Sequence, residues 1–324
     1  MKLVIQIPCL NEEQTLPATL ADLPRSLPGV DVIEWLVIDD GSSDRTSEVA
    51  AAHGVHRVIR FSGRQGLARA FSRGLQEALA MNADVIVNTD ADNQYRAADI
   101  GALIAPILEK RADIVVGARP IAEHPEFSPL KKSLQRLGSG IVRRLSRARV
   151  PDATSGFRAY NREAALRLTV LTGFTYTLET LIQASEKNLT IESVPIRINP
   201  KTRESRLFGS MGGYIRRSVA TMTRVYLLYQ PLRLFLGISA VFTLAAVALL
   251  LRWVWLYFAL HPLPTGHVQS LIVAGVLLVI GVLFAALGIL SDLIAMNRRL
   301  IEEVVAHTRA LRSSAPRDQE PPRP

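Results

Sequence analysis

Two aspartates separated by one small residue, Asp90-Ala91-Asp92, follow the apolar run Val85-Ile86-Val87 in a chain of 324 residues. A hard divalent cation such as Mg2+ or Mn2+ takes oxygen ligands and is held by one or two carboxylates together with substrate phosphates. Carboxylates at this spacing on a strand-end turn can direct oxygens at such an ion, and Gln94 could add a third. The ion would then stabilise charge developing on a departing diphosphate. Asp-x-Asp is also ordinary turn chemistry, because aspartate hydrogen-bonds its own backbone. A second acidic strand end, Val37-Ile38-Asp39-Asp40-Gly41-Ser42-Ser43-Asp44, offers carboxylates that can accept from a nucleobase or ribose above a sharp glycine turn. Ser42, Ser43 or Asp44 would equally cap the next helix. Both readings hold if Ser43 or Asp44 caps while Asp40 binds.

Positioning these residues calls for alternating strands and helices. Short β-branched runs over residues 3–8, 34–38, 55–61, 83–88 and 113–117 predict strands, and helical spacing begins near Glu12, Asp44, Gly66 and Ala97. Alternation of this kind predicts an α/β fold with a mainly parallel sheet covered by helices on both faces. Ligands bind such sheets at the carboxyl ends of the strands. The residues to read for chemistry are therefore Asn11-Glu12, Asp39 to Ser42, Gly63 to Gly66, Asp90-Ala91-Asp92 and Arg119. The N-terminal run from Met1 is broken by Pro8 and followed by Asn11-Glu12-Glu13, which does not resemble a cleaved signal peptide and reads as a first strand.

Composition narrows the setting. With 48% hydrophobic residues the chain can build a sizeable core, and 38 basic against 29 acidic residues give a net charge of +9 that suits a phosphate-bearing partner. Charge alone does not choose among nucleic acid, nucleotide and anionic lipid. The single cysteine, Cys9, excludes an intrachain disulfide and a cysteine-rich zinc site, so a reducing compartment is expected.

Residues 120–230 are more basic. Leu130, Leu134, Leu137, Ile141 and Leu145 recur at helical spacing, with Lys131, Lys132, Arg136, Arg143, Arg144 and Arg147 beside them. That pattern fits a helix on an anionic membrane surface, or a packed helix with a solvated basic face. Two apolar runs, residues 234–260 and 268–296, each exceed the roughly 20 residues a bilayer core requires. Trp253, Trp255 and Tyr257 suit an interface belt, and the connector from His261 to His267 carries no Lys or Arg. Arg216, Arg217, Arg224 and Arg233 precede the pair and Arg298 and Arg299 follow it. The positive-inside tendency then predicts a multi-pass inner (plasma) membrane protein with its globular part and C-terminus in the cytoplasm. In that topology the sequon at Asn188 faces the wrong compartment for glycosylation. The tail from Ser313 is expected to be disordered.

The ordered motifs Ile5-Gln6-Ile7-Pro8-Cys9-Leu10-Asn11-Glu12-Glu13, Val37 to Thr46 and Asp90-Ala91-Asp92-Asn93-Gln94 resemble the family 2 glycosyltransferases of the GT-A fold. Asp152-Ala153-Thr154-Ser155-Gly156-Phe157-Arg158-Ala159-Tyr160 narrows the resemblance toward dolichyl-phosphate mannosyltransferases and related polyprenyl-phosphate enzymes. It covers roughly residues 3–210, and the C-terminal hairpin is similar to that of membrane-bound members. The resemblance implies a GT-A domain over 1–208, an amphipathic juxtamembrane helix over 209–231, a transmembrane hairpin over 232–298 and a partly disordered cytoplasmic tail over 299–324. It also implies a donor site of Pro8, Asn11, Glu12, Asp40, Gly66, Asp90, Ala91 and Asp92, with Asp90, Asp92 and Gln94 around Mg2+ or Mn2+. Arg119, Ser155 and Arg158 would approach the donor or acceptor phosphate, and Lys201, Arg203 and Arg206 would form a basic segment closing over the site. Attraction to anionic lipid, about 1 kcal/mol per basic residue, accounts for those last charges equally well. One departure stands out. Where related enzymes often carry Gly-Lys-Gly, this chain has Gly63-Arg64-Gln65-Gly66, with Arg64 or Arg69 in place of the lysine.

The implied reaction is inverting transfer of a sugar from a GDP- or UDP-linked donor to an undecaprenyl or dolichyl phosphate. A lipid phosphate is already anionic and requires no general base, whereas a hydroxyl would. Asp152 is the candidate base if one is used, and otherwise orients Arg158; the catalytic set is then Asp92, Arg119, Asp152 and Arg158. Two rivals remain at this level: a family 2 enzyme acting on a hydroxyl of a glycan or glycolipid in the cell envelope, and a non-catalytic membrane scaffold. The Gln-x-x-Arg-Trp of processive synthases is absent. The expected partners are a nucleotide sugar, a polyprenyl phosphate, the membrane and, through the hairpin, a second copy of the chain; nucleic acid is not expected.

Overall fold

The computed structural model describes residues 1–120, 150–170, 176–200, 230–259 and 268–314, with isolated positions between 220 and 227. The predicted helix around Leu130 to Leu145, the segment holding Lys201, Arg203 and Arg206, and the expected juxtamembrane helix lie outside the described residues, isolated positions aside.

Five strands arise where the β-branched runs predict them: β1 Lys2–Cys9, β2 Val32–Asp39, β3 Arg57–Arg60, β4 Val85–Asn88 and β5 Ile114–Ala118. Between them lie α1 Leu16–Asp22, α2 Thr46–Ala52, α3 Leu67–Ala80 and α4 Ile100–Leu108, the last preceded by a 3-10 turn at Ala97–Asp99. After residue 149 come β6 Arg158–Asn161, α5 Arg162–Arg167, α6 Tyr176–Glu186 and β7 Ile191–Pro195. The seven strands form one sheet in the order β3-β2-β1-β4-β6-β5-β7.

The sheet is mainly parallel, and β6 is the exception. It runs antiparallel between β4 and β5, with Asn88 opposite Arg158 and Val115 opposite Ala159. Because β5 and β4 both oppose β6, they point the same way. The ends of β1, β2, β3, β4 and β5 therefore share one edge, and the loop 152–157 that leads into β6 arrives there too.

Successive side chains of a strand face opposite sides, so a strand covered on both faces reads as a continuous apolar run. In β1, Leu3, Ile5 and Ile7 pack into a core with Leu16, Leu20, Leu103 and Ile104 of α1 and α4. Val4 turns to the other face, beside Phe71, Leu75 and Ala78 of α3 and Tyr176 of α6. The Phe71 and Tyr176 rings stack at 3.9 Å.

The chain divides into two compact units, 1–218 with 302–324, and 219–301. The second contains α7 Pro231–Ala259 and most of α8 Val268–Ser314. Both helices are long and apolar enough to cross a membrane, with mean hydropathy of 2.6 and 2.9 in their most apolar windows. Most of their large apolar side chains are exposed, including Leu244, Phe258, Val279 and Ile294. They pair through a seam of small side chains. Ala274, Gly281, Gly288 and Ala295 recur every seventh residue on α8, and Ser239 and Ala246 are buried seven apart on α7. A Cβ at Gly281 would lie 2.6 Å from Thr243 Oγ1, and one at Gly288 would lie 3.0 Å from Phe235 Cβ. Contacts that step down α7 as they step up α8 define an antiparallel hairpin. A seven-residue repeat keeps such a seam facing its partner. Helix α8 continues to Ser314, well past the apolar run.

Candidate active site

The turns after β1 and β2 are locked together by side chains that accept backbone N–H groups. Ser42 Oγ accepts from Asn11 N at 2.9 Å, Asn11 Oδ1 from Ser43 N at 2.8 Å, and Thr46 Oγ1 from Glu12 N at 2.9 Å. Asn11 has φ of 55°, a conformation asparagine tolerates better than most residues. Asp44 accepts from Thr46 N at 3.0 Å and so serves the head of α2. Burial tends to raise its carboxyl, but hydrogen bonds from Thr46 and Glu13 hold it below the usual aspartate value.

Asp39 and Asp40 divide their work. Asp39 is fully buried and accepts from Ser42 N at 2.7 Å and from Ser47, bracing its own turn. Asp40 accepts from Gln65 N at 2.7 Å and Gly66 N at 2.9 Å, which ties the turn after β2 to the segment leading into α3. That closeness demands glycine at two points. A Cβ on Gly41 would sit 2.7 Å from the Gly63 carbonyl carbon, and Gly66 has φ of 97°. Pro8 is buried within β1, and Glu12 is buried with Thr15 Oγ1 donating to its Oε2 at 2.6 Å.

The Asp90-Ala91-Asp92 turn leaves β4 on the same edge. Burial first, and then the neighbouring Asp92, push the Asp90 carboxyl up to about 7, while Arg119 opposes the shift. Two neighbouring carboxylates that disfavour one another's charge are a donor set that a divalent cation would relieve. Among the described residues no three His, Cys, Asp or Glu side chains gather as an ion site, so these two carboxylates would need phosphate oxygens to complete the shell. The donor set fits that kind of binding. Gln94 N donates to Asp92 Oδ1 at 3.2 Å, folding the turn back on itself.

The loop 152–157 packs against this turn. Gly156 N donates to the Tyr95 hydroxyl at 3.1 Å, and Asn88 Nδ2 donates to Gly156 O at 2.8 Å and to the Tyr176 hydroxyl at 3.0 Å. A Cβ on Gly156 would lie 2.9 Å from Tyr176 Oη and 3.3 Å from Asp90 Oδ1, so glycine lets Asp90 rest on the loop backbone. Tyr95 stacks on Phe157 at 5.0 Å, and burial pushes its hydroxyl up to about 12. Sequence reasoning named neither Tyr95, Tyr176 nor Asn88 as part of the site. Their only sequence signal is a polar tip on an otherwise apolar run.

Arg119 and Asp152 form a forked ion pair, Nε to Oδ2 at 2.6 Å and Nη2 to Oδ1 at 3.1 Å, with Thr154 Oγ1 accepting from Nη2 at 3.0 Å. Burial would raise the Asp152 carboxyl, but Arg119 and Thr154 hold it below the usual range. A carboxylate so occupied orients an arginine rather than collecting a proton, and the arginine is Arg119, not Arg158 as one reading of the sequence had it. Arg158 is fully buried. Its guanidinium donates to Ser155 O, Thr177 O, Thr180 Oγ1 and Ala153 O at 2.7 to 2.9 Å, stapling the loop to α6. Ser155 is also buried, and its hydroxyl accepts from Phe157 N at 3.3 Å. The expected phosphate contacts of Ser155 and Arg158 therefore do not match this geometry: both turn inward because the loop's backbone carbonyls and amides need partners away from water.

Asp40, Glu12, Asp90, Asp92 and Arg119 are thus gathered on one sheet edge, an arrangement able to hold a nucleoside diphosphate with a cation. The family model described as glycosyl transferase family 2 matches residues 4–169. An uncharacterized glycosyltransferase of Mycobacterium tuberculosis is 33% identical over 218 residues, covering 65% of this chain and 92% of its own. An undecaprenyl-phosphate mannosyltransferase of Micrococcus luteus is 28% identical over 69% of this chain and 93% of its own, and a dolichol-phosphate mannosyltransferase of Pyrococcus furiosus is 32% identical over 64% and 60%. The crystal structure of glucosyl-3-phosphoglycerate synthase from Mycobacterium tuberculosis with Mn2+, UDP and product superposes with a TM-score of 0.55 at 23% identity, covering 69% of this chain and 79% of that one. At that identity the likeness bears on the fold, which is the GT-A arrangement.

Proposed function

The chain belongs to the family 2 glycosyltransferases, and from that footing we propose that it transfers a sugar from a UDP- or GDP-linked donor to a polyprenyl phosphate with inversion at the anomeric carbon. The observation that carries the acceptor class is the Arg119–Asp152 pair. The carboxylate best placed to serve as base is held ionised by two partners, which suits an acceptor that arrives already anionic. The names borne by the Micrococcus and Pyrococcus relatives point the same way.

In this reading Pro8, Asn11, Glu12, Asp40 and Gly66 bind the nucleoside side of the donor, with Ala91 in the turn beneath its diphosphate. Asp90 and Asp92, with the Gln94 side chain, hold Mg2+ or Mn2+, which would offset charge on the departing diphosphate. Arg119, held by Asp152 and Thr154 through Nε and Nη2, keeps Nη1 to donate to the phosphates. An acceptor phosphate oxygen attacks the anomeric carbon, and the bond to the diphosphate oxygen breaks with its electron pair. Lys201, Arg203 and Arg206 supply further positive charge for the phosphates, and Ser155 and Arg158 support the loop rather than the ligand. Helices α7 and α8 cross the plasma membrane as a hairpin, with the catalytic domain cytoplasmic and self-association through the exposed helix faces.

Purified protein in detergent, given labelled UDP- and GDP-sugars, Mn2+ or Mg2+ and undecaprenyl phosphate, should release a lipid-extractable product that mild acid cleaves. An acid-stable product would instead indicate a hydroxyl acceptor. Turnover unchanged in folded Asp92→Ala protein would sink the metal assignment, and no turnover with any donor would favour the scaffold.

A further inference from the structure

The Asp-x-Asp turn is clamped from outside by residues that the donor and acceptor assignments leave unused. Ala91, between the two aspartates, has its carbonyl oxygen bonded by Thr19 Oγ1 of α1 at 2.9 Å, in a buried contact 72 residues away in sequence. Thr19 Oγ1 also lies 3.3 Å from Thr15 O, but a hydroxyl has one proton and the Ala91 oxygen is the nearer acceptor. The carbonyls of Asn93 and Gln94, on the far side of Asp92, are taken by a single residue beyond β7. Asn199 Nδ2 donates to Asn93 O at 2.9 Å and Asn199 N donates to Gln94 O at 2.8 Å. Asn93 itself has φ of 55°, and its side chain donates to Asp22 of α1 at 2.8 Å.

The segment that carries Asn199 is anchored in turn. Arg197 N donates to Asp99 Oδ2 at 2.7 Å, and its guanidinium forks onto Asp99 Oδ1 at 2.6 and 3.1 Å. Ile198 bridges Tyr95. Three of the four carbonyls from Ala91 to Gln94 are thus fixed by two elements remote from each other in sequence.

We propose that Thr19 and Asn199 are positioning residues that set the mutual geometry of Asp90 and Asp92, and so govern divalent-cation affinity without touching the ion. Two neighbouring carboxylates repel, and a turn held only at its ends would relax by rotating them apart. Clamping the Ala91 carbonyl fixes the peptide plane that enters Asp92, and clamping the Asn93 carbonyl fixes the 93–94 plane whose Gln94 N donates to Asp92 Oδ1, and with them the direction of the Asp92 side chain. Groups that orient ligands from behind typically change metal affinity by about 10- to 100-fold when removed. The inference rests on the reading of Asp90 and Asp92 as the cation pair.

Mn2+ titrated onto the full-length protein in detergent, with free ion followed by EPR, tests both layers. Thr19→Val, nearly isosteric but without the hydroxyl, and Asn199→Ala should each weaken Mn2+ binding about tenfold. Thr19→Ser, which restores the donor, should bind as the wild type does. Thermal melts of the same samples separate a loosened fold from a misdirected carboxylate. Unaltered Mn2+ affinity in Thr19→Val and Asn199→Ala, with or without a lower melting temperature, overturns the clamp. If Thr19→Val does not fold, Asn199→Ala decides, since Asn199 is partly exposed. Asp92→Asn is the separate control: if it binds Mn2+ like wild type, the cation reading fails, whereas weak binding there beside normal binding in the clamp variants defeats the clamp alone.

Discussion

Arg119 and Asp152 meet end to end, Nε to Oδ2 at 2.6 Å and Nη2 to Oδ1 at 3.1 Å, and so join the end of β5 to the loop that leads into β6. Asp152 has no exposure, and removing its charge strands Arg119 in a poorly solvated site. Breaking a buried pair on one side costs about 3 kcal/mol or more. Asp152→Asn should therefore lower stability by about that amount in chemical denaturation. It should reduce turnover while leaving the shape of the pH–rate profile unchanged. Loss of the acidic limb of that profile at undiminished stability would mean instead that Asp152 collects a proton.

Gly156 gives a sharper test of how the loop meets the carboxylates. An added methyl would stand 2.9 Å from Tyr176 Oη, 3.3 Å from Asp90 Oδ1 and 3.5 Å from Asp90 Oδ2. Overpacking of this kind costs about 1 to 3 kcal/mol, and here the strain falls on Asp90 and on the Asn88–Tyr176 contact. Gly156→Ala should fold and lose most of its turnover. Wild-type turnover in that variant would show that Asp90 does not rest on this backbone.

Much of this architecture can be read from the chain because β1, β2, β4 and β5 are largely buried apolar runs, each followed by its turn residues. β6 escapes that reading. It is four residues long and begins with Arg158, whose charge suggests a surface ligand, yet the guanidinium is spent on backbone carbonyls and a threonine inside the protein. Asp40, Asp90 and Asp92 are legible because acidic pairs after strands are chemically pointed. Tyr95, Tyr176 and Thr19 are not, because each acts on a residue 61 to 88 positions away, and only the folded sheet edge brings them together.

Acid should weaken the anchor beneath the Asp-x-Asp turn in a defined direction. Burial would raise the Asp99 carboxyl, but hydrogen bonds and charge from Arg197 hold it below the usual aspartate value. A carboxyl whose folded value is depressed contributes stability above its unfolded value, roughly 3.9, and loses it as pH falls through the folded value. The melting difference between wild type and Asp99→Asn should therefore be constant from neutral pH down to about pH 5 and shrink below about pH 4. A difference that grows on acidification would contradict the ion pair.

The hairpin makes its own prediction, because its two faces differ in what they tolerate. At Gly281 a Cβ would lie 2.6 Å from Thr243 Oγ1 and 3.3 Å from Ser239 O, so any side chain there must push α7 and α8 apart. Small residues let helix backbones approach closely where lipid supplies no hydrophobic drive for association. On the opposite side of the same helix, Val279 is exposed and apolar, as a surface in contact with acyl chains would be. Gly281→Leu should lower the melting temperature of the detergent-solubilised protein, consistent with an overpacking cost of about 1 to 3 kcal/mol. Val279→Leu should leave it unchanged. The seam also leaves little room for a partner helix between α7 and α8, so self-association through the hairpin would use the exposed faces. Cross-linking from cysteine placed at position 279 should then capture dimers where cysteine at 281 does not. Equal sensitivity of positions 279 and 281 in the melting experiment would mean that the small-residue seam is not what holds the hairpin together.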